Sequence, residues 1–239
     1  MSARFGPQAR AAVFGASGGI GGALAATLAR DPGVAEVLCF SRSGRAPEGM
    51  TAAPLDILDE AAVAAAAEAA GPLDLAIVAT GLLHDGDRLR PEKDMRALSA
   101  ARLAESFAVN AIGPALVGKH VLPKMRRDRR AVFAALSARV GSIGDNAVGG
   151  WYGYRASKAA LNMILKNFAI ETARRQGAPI VLGLQPGTVD TSLSKPFQSA
   201  APRLFTPEQS AAALLEVIAG ATPDQSGRLL DWSGAVVPW

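Results

Sequence analysis

Tyr154 and Lys158 stand four residues apart in the stretch GGWYGYRASKAALN, residues 149 to 162, where the chain begins to read as a helix. Only two tyrosines occur in the 239 residues, and both fall here. A phenol with an ordinary pKa of about 10 is a poor acid or base near neutrality unless a cation stabilises its phenolate. A lysine one helical turn further on faces the same side and can supply that charge. Tyr152 has Ala156 at the same spacing. Tyr154 is therefore the candidate proton donor, and Tyr152 a pocket or packing residue. Taken alone, the pair also fits a solvated contact at a helix start, so the elements around it must decide.

The second chemical signal follows the first apolar run. Directly after AAVF comes GASGGIGG, which puts Gly15, Gly19 and Gly21 in a strand-to-helix turn, with Ser17, Gly18 and Ile20 between them. Glycines there let the backbone turn sharply and approach a pyrophosphate, while the free amides of the helix N-terminus face the anion. The same letters match G-x-S-x-G, with Ser17 as a hydrolase nucleophile. That rival class needs an acid and then a histidine later in the chain, and no histidine follows His120.

Short apolar runs that read as strands buried on both faces occur at AAVFG (11), AEVLCF (35), LDLAIVATG (73), AVFAALS (131), PIVLGLQPG (179) and GRLLDW (227). Between them the pattern predicts helices near 19–30, 59–70, 99–127, 154–175 and 207–220. The last is opened by Thr206, Pro207 and Glu208 as N-cap, first-turn proline and capping acid. Alternating strands and helices imply an α/β fold, a doubly wound parallel sheet of about seven strands covered on both faces. No repeat and no Pro-, Gly- or Ser-rich linker divides the chain, so one domain over 1–239 is expected.

Composition narrows the class. With 49% hydrophobic and 19% charged residues the chain can bury a large core. The single Cys39 excludes an internal disulfide, and His84 and His120 have no ligand at metal spacing. The run KMRRDRR at 124–130 reads as the cationic end of a helix rather than a polyanion site, because no aromatic residues interleave with it. The apolar run near the N-terminus, of about five residues, is too short for a signal core or a membrane span, and a cytoplasmic location is expected.

Together, Gly15-x-x-x-Gly19-x-Gly21, Tyr154-x-x-x-Lys158, Asn110 within ESFAVNAIGPALVGKHVLP and PGTVDT at 186–191 resemble the short-chain dehydrogenase/reductase family. The resemblance covers nearly the whole chain. It implies a Rossmann fold, a nicotinamide cofactor and hydride transfer between a carbonyl and an alcohol. In that scheme Tyr154 gives the proton, Lys158 lowers its pKa and holds the nicotinamide ribose, and Asn110 fixes a water in a proton relay. More narrowly, SARVGSIGDNAVGGWYGYRASKAALNM and LLDWSGAVVPW look like the bacterial C-factor-like branch, with similarity to sniffer-type carbonyl reductases. The branch name comes from a developmental signalling protein, so a non-catalytic NADP(H)-binding sensor stays open as an alternative.

Three positions depart from the family pattern. Where a Ser-Ser pair usually follows the fifth strand, this chain has Ser137 and Ala138, so either Ser142 or Ser137 must stand in; adjacent strand residues alternate sides, so Ser137 is expected to point away and Ser142 is the expected substitute. Where Asn-Asn-Ala-Gly is usual, the chain has VATG at 78–81, leaving Ala79, Thr80 and Gly81 to shape the cofactor channel. The threonine that usually opens the glycine motif is Phe14.

An acid usually ends the second strand where NAD is preferred. Here Ser41 and Arg42 follow EVLCF, and Arg42 can fork onto a 2′-phosphate; NADP(H) is the expected cofactor. The resemblance further implies Asp56 and Ile57 flanking the adenine, Val189 and Thr191 holding the carboxamide, and Pro186 and Gly187 among the other cofactor-binding residues. Residues 192–206 read as a substrate lid, with Trp151, Tyr152, Phe197 and Leu204 lining an apolar pocket for a small carbonyl or alcohol. Neither a nucleic acid nor a membrane is expected as a partner. A homodimer or homotetramer is implied through the long helices at 99–127 and 154–175.

Overall fold

The computed structural model describes residues 4–200 and 202–239; residue 201, inside the expected lid, lies outside the described residues. Strand β1 (Ala9–Phe14) leads through the glycine turn into helix α1 (Gly19–Ala29), and β2 (Val34–Ser41) and β3 (Ala52–Pro54) follow. Helix α2 (Glu60–Ala70) opens on Asp59, whose side chain accepts the Ala62 amide, and stops at Gly71. Strand β4 (Leu75–Val78) is buried along its whole length.

The expected single helix at 99–127 is interrupted. Helix α3 (Ala100–Phe107) runs into a π turn at Ala108–Ile112, and α4 (Gly113–Val121) resumes with Pro114 in its first turn. Such an extra residue in the helical ladder re-aims the side chains it carries, and Asn110 lies inside it. The basic run after it closes a helical turn only at Lys124, the last residue of a 3-10 turn at Leu122–Lys124, and from Met125 onward is not a helix end. It is a connection in which Arg129 pairs with buried Asp74 and Arg130 donates to the Ala221 carbonyl beyond helix α6 (Pro207–Gly220). The cations thus serve other elements, which a local dipole argument does not reveal.

Strand β5 (Val132–Leu136), helix α5 (Tyr152–Thr172) and strand β6 (Ile180–Gln185) come next. A short pair, β7 (Thr188–Val189) with β8 (Leu204–Phe205), leaves the main sheet. Helix α6 opens with Pro207 and a capping box in which Thr206 is matched by Gln209, not by the expected Glu208. The third helical position is the one whose side chain reaches back to the N-cap amide. Strands β9 (Arg228–Asp231) and β10 (Val236–Val237) end the chain's regular structure.

The sheet order is β10-β9-β6-β5-β4-β1-β2-β3. Seven strands are parallel, and β10 adds an antiparallel edge that the sequence reading did not separate from β9. Along each central strand the side chains alternate between two cores. Val13, Ile77 and Leu182 join a core with Leu24 of α1 and Leu214 of α6, whereas Phe14, Val78 and Val181 join one with Val117 of α4 and Leu161 of α5. Both faces being covered explains the continuous apolar runs. The order reverses between β1 and β4, and a crevice opens at the carboxyl ends of strands at such a reversal.

Candidate active site

That crevice holds a cavity of about 550 Å³. From the β1 side it is lined by Gly15, Ser17, Gly18, Gly19 and Ile20, from β2 by Ser41 and Arg42, and from the β3 side by Asp56 and Ile57. Ala79, Thr80 and Gly81 come from the end of β4, and Tyr154, Lys158, Pro186 and Thr191 complete the wall. The glycine turn is built for close approach. Gly15 has φ +96°, and a Cβ on Gly21 would fall 2.2 Å from the Gly15 carbonyl oxygen, so the turn admits no side chain at either place. Helix α1 has Gly18 as its N-cap and no side-chain cap, which leaves its first amides directed at the cavity. The Thr80 hydroxyl oxygen is buried without a hydrogen-bond partner among the described residues.

The π turn holds Asn110 fully buried, with its amide locked at three points. Its Oδ1 accepts the Leu82 amide at 2.8 Å, and its Nδ2 donates to the Leu82 carbonyl at 2.8 Å and to Ser157 Oγ at 3.1 Å. Asn110 Oδ1 and Lys158 Nζ both come within 4 Å of where Gly81 would carry a Cβ, at 3.7 and 3.9 Å. Lys158 is 2% exposed and donates to the Leu136 carbonyl at 2.8 Å; its Nζ lies 5.9 Å from the centre of the Tyr154 ring.

Burial sets the charge states of this pair. It raises the half-buried Tyr154 to about 12 and lowers Lys158 to about 7, because both charged forms lose water. The sequence reading expects Lys158 to pull the phenol down; the structure has desolvation as the cause that dominates. Tyr154 thus keeps its proton throughout the neutral range, and Lys158 changes charge near pH 7.

Several expected residues lie elsewhere. Ser142 is buried but does not line the cavity; its hydroxyl oxygen accepts the Asp145 amide at 3.0 Å in the following turn. Ser137 does line the cavity, although strand alternation led us to expect it to point away, and it donates its proton to Asn162 Oδ1 at 2.6 Å. Gly21, Asn110, Gly187 and Val189 do not line the cavity, and neither do Trp151 and Phe197. Around the first turn of α5, Trp151 meets Phe197 at 4.9 Å and Tyr154 at 6.3 Å between ring centres, and Phe197 meets His84 at 5.7 Å. Tyr152 and Leu204 are instead exposed, at 38% and 46%.

The sequence reading missed the contribution of the segment after β4. Leu82, His84, Asp85 and Arg88 line the cavity, with Glu105 and Val109 of α3 and the π turn. Arg88 is held by a double hydrogen bond to Glu105, at 2.8 and 2.7 Å. The only local signal was an unusual density of charge after an apolar strand, and its place over the cavity depends on the chain's path.

A doubly wound α/β domain with a glycine turn and with Tyr154 and buried Lys158 at its switch point defines a class of dinucleotide-dependent oxidoreductase folds. Comparison with known proteins narrows this: residues 9–202 match the family model described as short chain dehydrogenase, and the chain belongs to that family. It is 39% identical over 139 residues to C-signal of Myxococcus xanthus, an alignment covering 58% of this chain and 80% of that protein. Carbonyl reductase Sniffer of D. melanogaster superposes with a TM-score of 0.81 at 18% identity, covering 98% of this chain and 100% of that one. A short-chain dehydrogenase/reductase of Burkholderia multivorans, crystallised with bound NADP, gives a TM-score of 0.81 at 26% identity over 98% of this chain and 100% of that one.

Proposed function

We propose that this protein is an NADP(H)-dependent oxidoreductase that interconverts a carbonyl and an alcohol. The observation that carries the reading is that Tyr154 and Lys158 line the same cavity as the glycine turn and Arg42. The cavity fits a dinucleotide: uncapped helix amides for the pyrophosphate, an unpartnered Thr80 hydroxyl, and the Phe14–Phe40 stack at 4.8 Å beside Asp56 and Ile57. Arg42 and Ser43 line the cavity at the end of β2, where no acid stands, which suits a 2′-phosphate. The NADP found in the Burkholderia relative supports the same choice.

When bound, the nicotinamide supplies the hydride. Tyr154, protonated at neutral pH, gives its hydroxyl proton to the substrate oxygen. Lys158, fixed by the Leu136 carbonyl, provides the nearby cation and a donor for the ribose. Asn110 holds the π turn and the Leu82 backbone in register with α5 through Ser157. Trp151, Phe197 and His84 form an aromatic wall beside Tyr154, which suits apolar or aromatic carbonyl compounds. Exposed Ile112, Met163 and Ile170, on the π turn and α5, suit pairing with a second copy.

The test is a panel of aliphatic and aromatic aldehydes and ketones, followed by the loss of NADPH absorbance. Turnover of none, with NADPH still bound, would favour a second reading, a cofactor-binding signalling protein. Two observations favour that alternative: Ala138 stands where the family places a serine, and C-signal is among the relatives.

A further inference from the structure

We propose that Glu92 is a positioning residue for Tyr154, its buried side chain and backbone together fixing the turn on which the phenol stands; this rests on the oxidoreductase reading above. Helix α5 is entered through three consecutive residues in the left-handed region, Gly149 (φ +69°), Gly150 (φ +65°) and Trp151 (φ +51°). A side chain as large as tryptophan holds that conformation only when its surroundings impose it. Trp151 is also the N-cap residue, and its side chain makes no capping hydrogen bond; an indole has a donor and no acceptor. The first amides of α5 therefore need an acceptor from elsewhere.

Glu92 supplies it twice. Its carbonyl oxygen accepts the Trp151 amide at 2.5 Å, and its Oε2 accepts the Gly153 amide at 3.0 Å. The residue is 5% exposed. A Cβ on Gly153 would meet Glu92 Oε1 at 3.1 Å, Ser106 Oγ at 3.2 Å and Leu103 Cδ2 at 3.5 Å, so the carboxylate is wedged between the first turn of α5 and helix α3. A carboxylate at that end also complements the helix dipole. Tyr154 is the next residue after Gly153.

The usual device would be Ser, Thr, Asp or Asn at position 151. Moving the cap to a residue 61 positions away leaves position 151 free for an aromatic ring, and that ring contacts both Tyr154 and Phe197. One side chain thereby fixes the proton donor and permits the aromatic wall beside it.

The experiment compares Glu92→Ala and Glu92→Gln in the full chain by two readouts: steady-state turnover with NADPH and a carbonyl that the parent reduces, and hydrogen exchange of the amides at 151–155. Glu92→Ala is expected to lower kcat by about ten- to a hundredfold, the scale of a misplaced reacting group, with NADPH Kd changed by less than about threefold. Its 151–155 amides should exchange faster. Glu92→Gln retains an accepting oxygen and should restore both readouts to near the parent's. Should Glu92→Ala not fold, Glu92→Asp, which shortens the reach of the same group, takes its place with the same expected split. Equal loss in Glu92→Gln and Glu92→Ala, or unchanged kcat and exchange in Glu92→Ala, would overturn the assignment. If the parent reduces no carbonyl, the oxidoreductase reading fails instead, and the exchange comparison still decides whether Glu92 holds the turn.

Discussion

Asn110 donates from its side-chain amide to Ser157 Oγ at 3.1 Å, and Ser157 Oγ donates in turn to the Tyr154 carbonyl at 2.9 Å. The π turn between α3 and α4 is thereby tied to the first turns of α5, and the backbone that carries the phenol is held without use of the phenol itself. Tyr154→Phe should accordingly leave the fold and NADPH binding nearly intact, because it deletes only a hydroxyl. Turnover should fall by about two to four orders of magnitude, the usual worth of a positioned acid. Steady-state kinetics and a binding titration check this; full activity in Tyr154→Phe would remove the tyrosine from the mechanism.

The depressed Lys158 leads to a prediction about stability. An unfolded lysine keeps its proton to about pH 10.4, whereas burial lowers folded Lys158 to about 7. Between those values the unfolded chain binds more protons, so stability rises with pH across the window. Below about pH 7 the burial cost is felt in full. The raised Tyr154 acts only above about pH 10, outside that range. Thermal melts of the cofactor-free protein should show the parent gaining on Lys158→Met as pH goes from 7 to 9.5. A constant or opposite difference between the two would contradict the buried amine.

Arg42 is expected to distinguish the two nicotinamide cofactors. NADPH should bind more tightly than NADH, and Arg42→Ala should remove most of the difference, about 1.5 to 3 kcal/mol for a lost charged hydrogen bond, or roughly ten- to a hundredfold in Kd. Calorimetric titration with both cofactors measures it. Equal affinities in the parent would sink the assignment.

Ser142 and Ser137 should separate in function as they do in space. Ser142 accepts an amide within its own turn, so Ser142→Ala should cost about 1 kcal/mol of stability and keep turnover within about threefold. Ser137, at the cavity wall and bonded to Asn162, should lose turnover on replacement by alanine. A collapse of activity in Ser142→Ala at unchanged melting temperature would restore the sequence expectation.

The sequence by itself determined six of the eight strands of the main sheet, the glycine turn and the one-turn spacing of Tyr154 and Lys158, because these follow from local rules: apolar runs for strands buried on both faces, small residues where the backbone must turn, and side chains one helical turn apart. It also showed the absence of an acid after the second strand. Tertiary structure decided what depends on approach between distant segments. Ser142 and Ser137 are separated by which one the end of β5 carries to the cavity, and strand alternation beyond the last paired residue does not tell. Continuous helical periodicity concealed the π turn, since a single extra residue leaves the apolar pattern intact while rotating Asn110 inward. The ion pair that uses Arg129 and the capping carboxylate of Glu92 join residues 55 and 61 positions apart. Charge and hydrogen-bonding capacity are written in each residue, but which partner satisfies them is settled only when the chain has folded them together.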